Sequence, residues 1–151
     1  MGEEIERRFL VRDESWNKGS KGDAIRQGYL ATGNGVTVRV RRIGARAFLT
    51  VKGRKSGYAR PEFEYEIPCD EADAMLDKLC RRPLIEKTRH SIPQGGITWH
   101  VDVFVAPNPG LVIAECELSH PDESFVMPDW LGEEITGDNR YSNSRLGHDR
   151  P

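Results

Sequence analysis

The sequence predicts a mainly β domain in which about eight antiparallel strands form a sheet or a barrel, flanked by a few helices. Three observations lead to this prediction. Turn signals recur at short intervals, most runs between them alternate apolar and polar residues, and one segment alone has clear helical spacing. Alternation with a period of two is typical of strands, and short links between strands are typical of antiparallel pairing.

The runs between the turn signals are rich in β-branched and aromatic residues, which favour strands. In chain order the predicted strands are residues 5–11, 24–30, 36–43, 46–52, 60–67, 84–92, 98–104 and 111–118. Gly33-Asn34-Gly35 joins the second strand to the third, because an Asn-Gly pair tolerates the positive φ of a tight hairpin. Further breaks follow at residues 44–45, 56–57, 95–96 and 108–110.

One helix is predicted after the fifth strand. Asp70 is its predicted N-cap and Pro83 ends it. Between them the apolar residues follow helical spacing, at Ala72, Met75, Leu76, Leu79 and Cys80. Shorter helical turns are predicted within residues 122–131, which Pro128 interrupts, and over residues 136–143.

Length and composition predict a single domain over residues 1–151. The net charge of −2 gives no reason to expect a nucleic-acid partner or a membrane surface. The longest uncharged stretch, residues 103–114, is too short to span a membrane. Three cysteines without CxxC spacing, and no apolar N-terminal run, predict reduced thiols in a cytoplasmic protein.

Nearly every predicted strand has one apolar face and one charged face. In the third strand, for example, Val36, Val38 and Val40 alternate with Thr37, Arg39 and Arg41. Two structures satisfy this pattern. Either the apolar faces form a core and the charged faces meet water, or the sheet closes with the charged faces inside and the apolar faces covered by helices or a partner subunit. The usual exposure of charged residues favours the first structure, but the periodicity itself does not choose.

The charges are also grouped by sign within the strands. Acidic blocks and basic blocks alternate along the chain, at Glu4/Glu6, Arg39/Arg41, Glu62/Glu64/Glu66, Lys87/Arg89 and Glu115/Glu117. Like charges on one face are unfavourable unless a ligand neutralises them. Carboxylates suit Mg²⁺ or Mn²⁺, and arginines bind phosphate oxygens in pairs. A ligand that answers both requirements is a metal–polyphosphate complex.

These residues resemble the CYTH superfamily, also called the triphosphate tunnel metalloenzymes, over almost the whole chain. The opening Glu4-Ile5-Glu6-Arg7-Arg8 is similar to the family's ExExK signature, although Arg8 stands where that signature has lysine. Further matching segments, in order and in register with the strand faces, are residues 26–30, 39–41, 50–52, 62–64, 86–89, 101–104, 115–117, 132–136 and 140–143. The resemblance implies an eight-stranded antiparallel β-barrel that forms a tunnel with a charged interior.

The resemblance also implies roles for individual residues. The divalent metal would be held by Glu4, Glu6, Glu115 and Glu117, with direct or water-mediated help from Glu62, Glu64 and Asp102. The phosphates would be bound by Arg8, Arg39, Arg41, Lys52, Lys87, Arg89, Arg60 and Arg140. For Arg60 and Arg140 a solvated surface position is an equal alternative. Tyr29 belongs either to the core or to the tunnel, and His100 is expected as a hydrogen-bonded tunnel residue.

Arg8 changes the expected catalytic roles. Arginine remains protonated, so it binds phosphate but does not exchange a proton. Proton transfer would then fall on Lys52, Lys87 or metal-bound water, while Glu4 and Glu6 would serve catalysis by holding the metal.

The leading hypothesis is a triphosphatase that uses Mg²⁺ or Mn²⁺ to hydrolyse inorganic tripolyphosphate to pyrophosphate and phosphate. Alternatives within the enzyme class are a thiamine triphosphatase, a nucleoside triphosphatase and an adenylate cyclase. A non-catalytic polyphosphate-binding module, and an ordinary barrel whose charged faces meet water, are alternatives of other classes. If the charged faces are inside, the outward apolar faces need cover, and a homodimer is expected.

Overall fold

The computed structural model describes residues 2–146. Nine strands are formed there: β1 Gly2–Val11, β2 Asp23–Gly33, β3 Val36–Ile43, β4 Arg46–Lys52, β5 Ala59–Ile67, β6 Ile85–Gln94, β7 Ile97–Ala106, β8 Val112–Glu117 and β9 Leu131–Glu134. Helix α1 is Cys69–Lys78, a 3₁₀ turn covers Asn139–Tyr141, and helix α2 is Asn143–Leu146. All eight strands expected from the sequence are confirmed.

Strands β1 to β8 form a closed antiparallel barrel. Their order is β5-β4-β3-β2-β6-β7-β8-β1, and the start of β1 pairs back onto β5 to close it. β1 is shared between three neighbours, because its first half pairs with β5, its middle with β8 and its end with β9. This sharing puts the Glu4/Glu6 segment at the seam where the barrel closes.

Two local predictions were wrong. Residues 122–130 contain no helical turn, and Leu131 begins the short strand β9, which pairs with the end of β1. Trp130 and Leu131 are buried in the core, so tertiary packing decides this segment. The N-cap residue of helix α1 is Pro68 and not Asp70. Asp70 lies within the first turn, where its side chain accepts a hydrogen bond from the adjacent Glu71 amide. The helical turns expected over residues 136–143 are confirmed by the 3₁₀ turn and the start of α2.

The apolar faces of the strands point outward and are covered in two places. Phe9 and Trp99 pack beneath the loop before β9, where Trp99 makes edge-to-face contacts with Phe125 and Trp130. Helix α1 covers the outer face of β3 and β4, and its Leu76 is fully buried there. The charged faces therefore lie inside the barrel, which decides between the two structures that the periodicity left open.

An apolar cluster bounds the polar interior near α2. Beyond Arg8 and Glu115, the inward positions of β1 and β8 are Leu10 and Ile113. These side chains pack with the cluster of Ile85, Phe104, Ile135 and Leu146.

Within residues 2–146 the longest helix has 10 residues, and no helix has the length and apolar character that crossing a bilayer requires.

Candidate functional site

The barrel encloses a cavity of about 670 Å³, counting the part that opens to solvent. Ten of the side chains predicted for the site line it together: Glu4, Glu6, Arg39, Arg41, Lys52, Glu62, Glu64, Arg89, Glu115 and Glu117. Strand register explains the gathering, because cross-strand partners such as Lys52 and Glu62, or Glu6 and Glu117, face the same side of the sheet.

Carboxylates crowd one side of this cavity. Burial raises the pKa of Glu6 to about 7, and the negative charges of Glu115 and Glu4 add to the shift. The pKa values of Glu62 and Glu117 are also raised, mainly by burial and next by Glu4. This side of the cavity therefore holds more negative charge than its own cations balance.

Lys52 is the cation that stands among these carboxylates. Its Nζ donates to the two Glu4 carboxylate oxygens at 3.0 and 3.1 Å and lies 3.5 Å from Glu62. The Lys52 side chain is only 14% exposed, so the pairing occurs away from bulk water. A cation bound between these glutamates would take over the role that Lys52 now fills.

Asp102 and Lys87 lie behind the cavity wall. Both are 2% exposed, and Lys87 Nζ donates to Asp102 at 2.8 Å. Arg89 holds the same carboxylate through two hydrogen bonds of 2.7 and 2.9 Å and reaches Glu115 at 2.8 Å. Burial lowers the pKa of Lys87 to about 7 even though Asp102 opposes the shift, and repulsion from Arg89 and Arg41 contributes.

Glu115 behaves differently from Glu6 although both are partly buried side chains of the same cavity. Burial alone would raise the pKa of Glu115, but the positive charges of Arg89 and Arg8 outweigh it and hold that pKa at about 2. Glu115 is therefore a fixed negative charge, whereas Glu6 titrates near neutrality.

Two uncharged residues that the sequence analysis missed orient the central arginines. Gln27 is fully buried and its Oε1 accepts a hydrogen bond from Arg41 Nε at 3.0 Å. Thr50 Oγ1 accepts from Arg39 at 3.4 Å and donates to Glu64 at 2.8 Å. Both lie directly across a hairpin from the arginine they contact, so the strand register is the signal that identifies them.

Arg8 is buried between the barrel wall and the C-terminal segment. Its Nη1 donates to the Tyr141 carbonyl at 2.7 Å, and its Nε lies 3.5 Å from Glu115. It lines a smaller cavity that adjoins the main one, together with Tyr29. Tyr29 thus lies on the tunnel side, and His100 lines the main cavity as expected.

The remaining predicted residues lie apart from the main cavity. Arg60 lies at the smaller cavity, where its Nε donates to the Gly53 carbonyl at 3.1 Å. Arg140 is well exposed and pairs with Asp138 at 2.7 Å, so the structure does not bring it to the cavity.

The chemistry of the cavity fits a hard divalent cation. Its six lining glutamates supply only oxygen donors, which Mg²⁺ and Mn²⁺ prefer. Within residues 2–146, no three His, Cys, Asp or Glu side chains are arranged as a metal site, and Glu4, Glu64 and Glu115 are each held by a lysine or arginine. A metal held by those carboxylates would therefore have to displace their basic partners.

Known proteins resemble this chain over nearly its whole length. The CYTH domain family matches residues 2–145. An inorganic triphosphatase of Acetivibrio thermocellus is 47% identical over 146 residues, which cover 97% of this chain and 94% of that protein. An inorganic triphosphatase of Nitrosomonas europaea is 36% identical over 149 residues, and 95% of each chain is covered.

A solved structure agrees as well. The crystal structure of an inorganic triphosphatase superposes with a TM-score of 0.70 and 32% identity, covering 97% of this chain and 99% of that one. Because the family match spans nearly the whole chain and relatives of 47% and 36% identity cover it almost completely, the chain belongs to the CYTH domain family.

Proposed function

We propose that this chain is a metal-dependent inorganic triphosphatase that hydrolyses tripolyphosphate to pyrophosphate and phosphate. The observation that carries the proposal is a single cavity lined by six glutamates together with three arginines and one lysine. Tripolyphosphate is a small polyanion that binds divalent metals, and the cavity offers groups of both signs. The relatives at 47% and 36% identity are named inorganic triphosphatases.

In this proposal Glu4, Glu6, Glu115 and Glu117 hold Mg²⁺ or Mn²⁺, with Glu62 and Glu64 as further partners. The metal would polarise phosphate oxygens and activate the attacking water. Asp102 takes a different part, because its oxygens already accept three hydrogen bonds from Lys87 and Arg89. It orients these two cations.

The arginines bind the phosphates. Arg39, Arg41 and Arg89 line the cavity and Arg8 adjoins it. Planar guanidinium groups match phosphate oxygens in pairs and stabilise the charge that develops on the departing pyrophosphate. Gln27 and Thr50 hold Arg41 and Arg39 in place before substrate arrives, which lowers the cost of ordering them.

Lys52 is the side chain that we assign to proton transfer. It lines the cavity and its Nζ already donates hydrogen bonds to Glu4. Lys87 is enclosed behind Asp102 and acts on the phosphates through its charge.

A panel of phosphate esters and anhydrides tests this function. Purified protein is incubated with tripolyphosphate, pyrophosphate, ATP or thiamine triphosphate, each with Mg²⁺ or Mn²⁺, and released phosphate is measured. We expect tripolyphosphate to be hydrolysed fastest, because the cavity is lined mainly by charged side chains, which suit an inorganic polyanion better than a substrate with an organic group. Faster release from an organic triphosphate would reassign the substrate, and binding of tripolyphosphate without turnover would indicate a binding module.

We further propose that the protein is a homodimer. Phe63 and Tyr65 point outward from β5 and are 48% and 58% exposed. Their cross-strand partners Val51 and Leu49 extend the same apolar face. A second copy would cover it.

We also propose a cytoplasmic location, since Cys69, Cys80 and Cys116 are all free thiols.

A further inference from the structure

A second cavity opens beside the main cavity of the barrel, which we call the tunnel. It lies between the β2–β3 hairpin, the β4–β5 loop and the C-terminal segment. It measures about 770 Å³, counting the part open to solvent. Its charged lining consists of Arg54, Lys55 and Arg60, accompanied by the hydroxyls of Ser142 and Ser144. Within the described residues 2–146, no carboxylate lines this cavity.

The second cavity is connected to the tunnel. The smaller cavity between them shares Lys55 and Arg60 with the second cavity, and Glu6 and Lys52 with the tunnel. The proportion of acidic to basic lining residues therefore falls along one path, from six glutamates in the tunnel to none at the outer end.

The pairing of the cations differs between the two ends of this path. In the tunnel, Lys52 is paired with Glu4 and Arg89 with Asp102. In the part of the chain that the structure describes, Arg54, Lys55 and Arg60 form no ion pair. Among residues 2–146, Arg54 and Arg60 donate to the backbone carbonyls of Asn34 and Gly53, at 3.3 and 3.1 Å. Without a paired carboxylate these cations can bind an external anion, and the more distant Glu6 and Glu4 offset only part of the charge at Lys55.

The hairpin turn fixes the position of Arg54. Gly35 has a φ of +77°, and a Cβ added there would lie 2.9 Å from Arg54 Nε. Arg54 thus packs directly against the backbone of the turn, where a larger residue would displace it.

We propose that Arg54, Lys55 and Arg60 form a metal-independent site for condensed phosphate, distinct from the tunnel. Pyrophosphate offers two anionic groups to the three cations, and the guanidinium groups suit its oxygens. A metal complex is disfavoured because the site has no carboxylate to hold the metal, whereas Arg39, Lys52 and Arg89 of the main cavity are already paired with carboxylates. The inference does not rest on hydrolysis.

Titration calorimetry with inorganic pyrophosphate in excess chelator tests this site. The wild-type protein is compared with the Arg54→Gln/Lys55→Gln variant, and with an Arg46→Gln/Lys78→Gln variant that removes the same charge from exposed positions elsewhere. We expect at least a tenfold weaker affinity for the first variant and less than a threefold change for the control. Gly35→Ala, which displaces Arg54, should also weaken binding.

A variant of the tunnel tests whether the two binding sites are separate. Arg39→Gln/Arg41→Gln should retain metal-free pyrophosphate binding. The proposal is overturned if that variant loses the binding while Arg54→Gln/Lys55→Gln keeps it, or if the wild-type protein binds no pyrophosphate without metal. Phosphate release from tripolyphosphate with metal, measured on the same samples, reports on the proposed enzyme activity separately.

Discussion

Asp102 is enclosed by two cations deep in the barrel wall. Lys87 lies 2.8 Å away and Arg89 2.7 Å away, and the carboxylate side chain is only 3% exposed. Ion pairs this deep are sensitive to the loss of one partner, because the remaining charges are left buried without compensation. The carboxylate therefore matters for folding as well as for the orientation of Lys87 and Arg89.

Asp102→Asn should destabilise the fold by roughly 3–5 kcal/mol, the usual cost of breaking a buried ion pair. Urea unfolding followed by circular dichroism measures the change. Asp138→Asn is the matched control, because Asp138 pairs with the well-exposed Arg140 and such pairs contribute about 0–1 kcal/mol. Equal losses in the two variants would contradict the enclosure of Asp102.

Glu6 makes the stability of the metal-free protein depend on pH. Its pKa is raised from 4.5 to about 7 by burial and by Glu115 and Glu4. The folded state therefore binds more protons than the unfolded state between pH 4.5 and 7, so stability falls as pH rises through this window, by up to about 1.4 kcal/mol per pH unit. Glu6→Gln should remove this part of the slope in chelator.

Metal affinity should change with pH in the opposite direction. A carboxylate must lose its proton before it binds a cation, so the affinity for Mn²⁺ should rise by up to about tenfold per pH unit between pH 5 and 7. Calorimetry in two buffers of different ionisation enthalpy would detect the released proton. An affinity independent of pH would contradict the assignment of Glu6 to the metal.

The sequence analysis missed residues whose roles do not follow from alternation along a single strand. The charged positions on the strands follow from alternation along the chain, and ten of them line the cavity. Gln27 and Thr50 gain their roles from cross-strand neighbours, which alternation within one strand does not report. Lys55 lies in a loop, where no period applies.

At the scale of elements, alternation predicted the strands, but only the family resemblance predicted which side of the sheet meets water. Alternation gives the same pattern whether the charged face lies inside or outside. The choice depends on cover from distant segments: α1 over β3 and β4, and the loop of Phe125 and Trp130 over Trp99. Strand β9 was missed for the same reason, since it exists through pairing with β1.

Helix α1 stabilises the barrel from outside. Leu76 is fully buried against Val40 and Ala47, whereas Leu79 at the helix end is 65% exposed. Leu76→Ala should cost about 2–5 kcal/mol in urea unfolding and Leu79→Ala less than about 0.5 kcal/mol. The rate of phosphate release should be the same for both folded variants. A lower rate for folded Leu76→Ala would mean that α1 also shapes the cavity.

At the scale of the whole molecule, the outward apolar face of β5 predicts self-association. Sedimentation equilibrium at micromolar concentration should give twice the chain mass of 17.1 kDa. Phe63→Asp/Tyr65→Asp should give the single-chain mass, while Val105→Asp, at an exposed position on β7, should remain dimeric. A single-chain mass for the wild-type protein would contradict the dimer.

The closed barrel unites carboxylates and guanidinium groups that lie far apart in the sequence, and the central claim is that this arrangement hydrolyses a metal–triphosphate complex. The most direct measurement is the rate of phosphate release from tripolyphosphate with Mg²⁺ or Mn²⁺, for the wild-type protein and for Glu4→Gln/Glu6→Gln. We expect metal-dependent release by the wild-type protein and a loss of roughly 10²-fold or more in the variant, since removing key electrostatic groups has effects of this size. Equal rates for the two proteins, or no release by the wild-type protein with either metal, would contradict the claim.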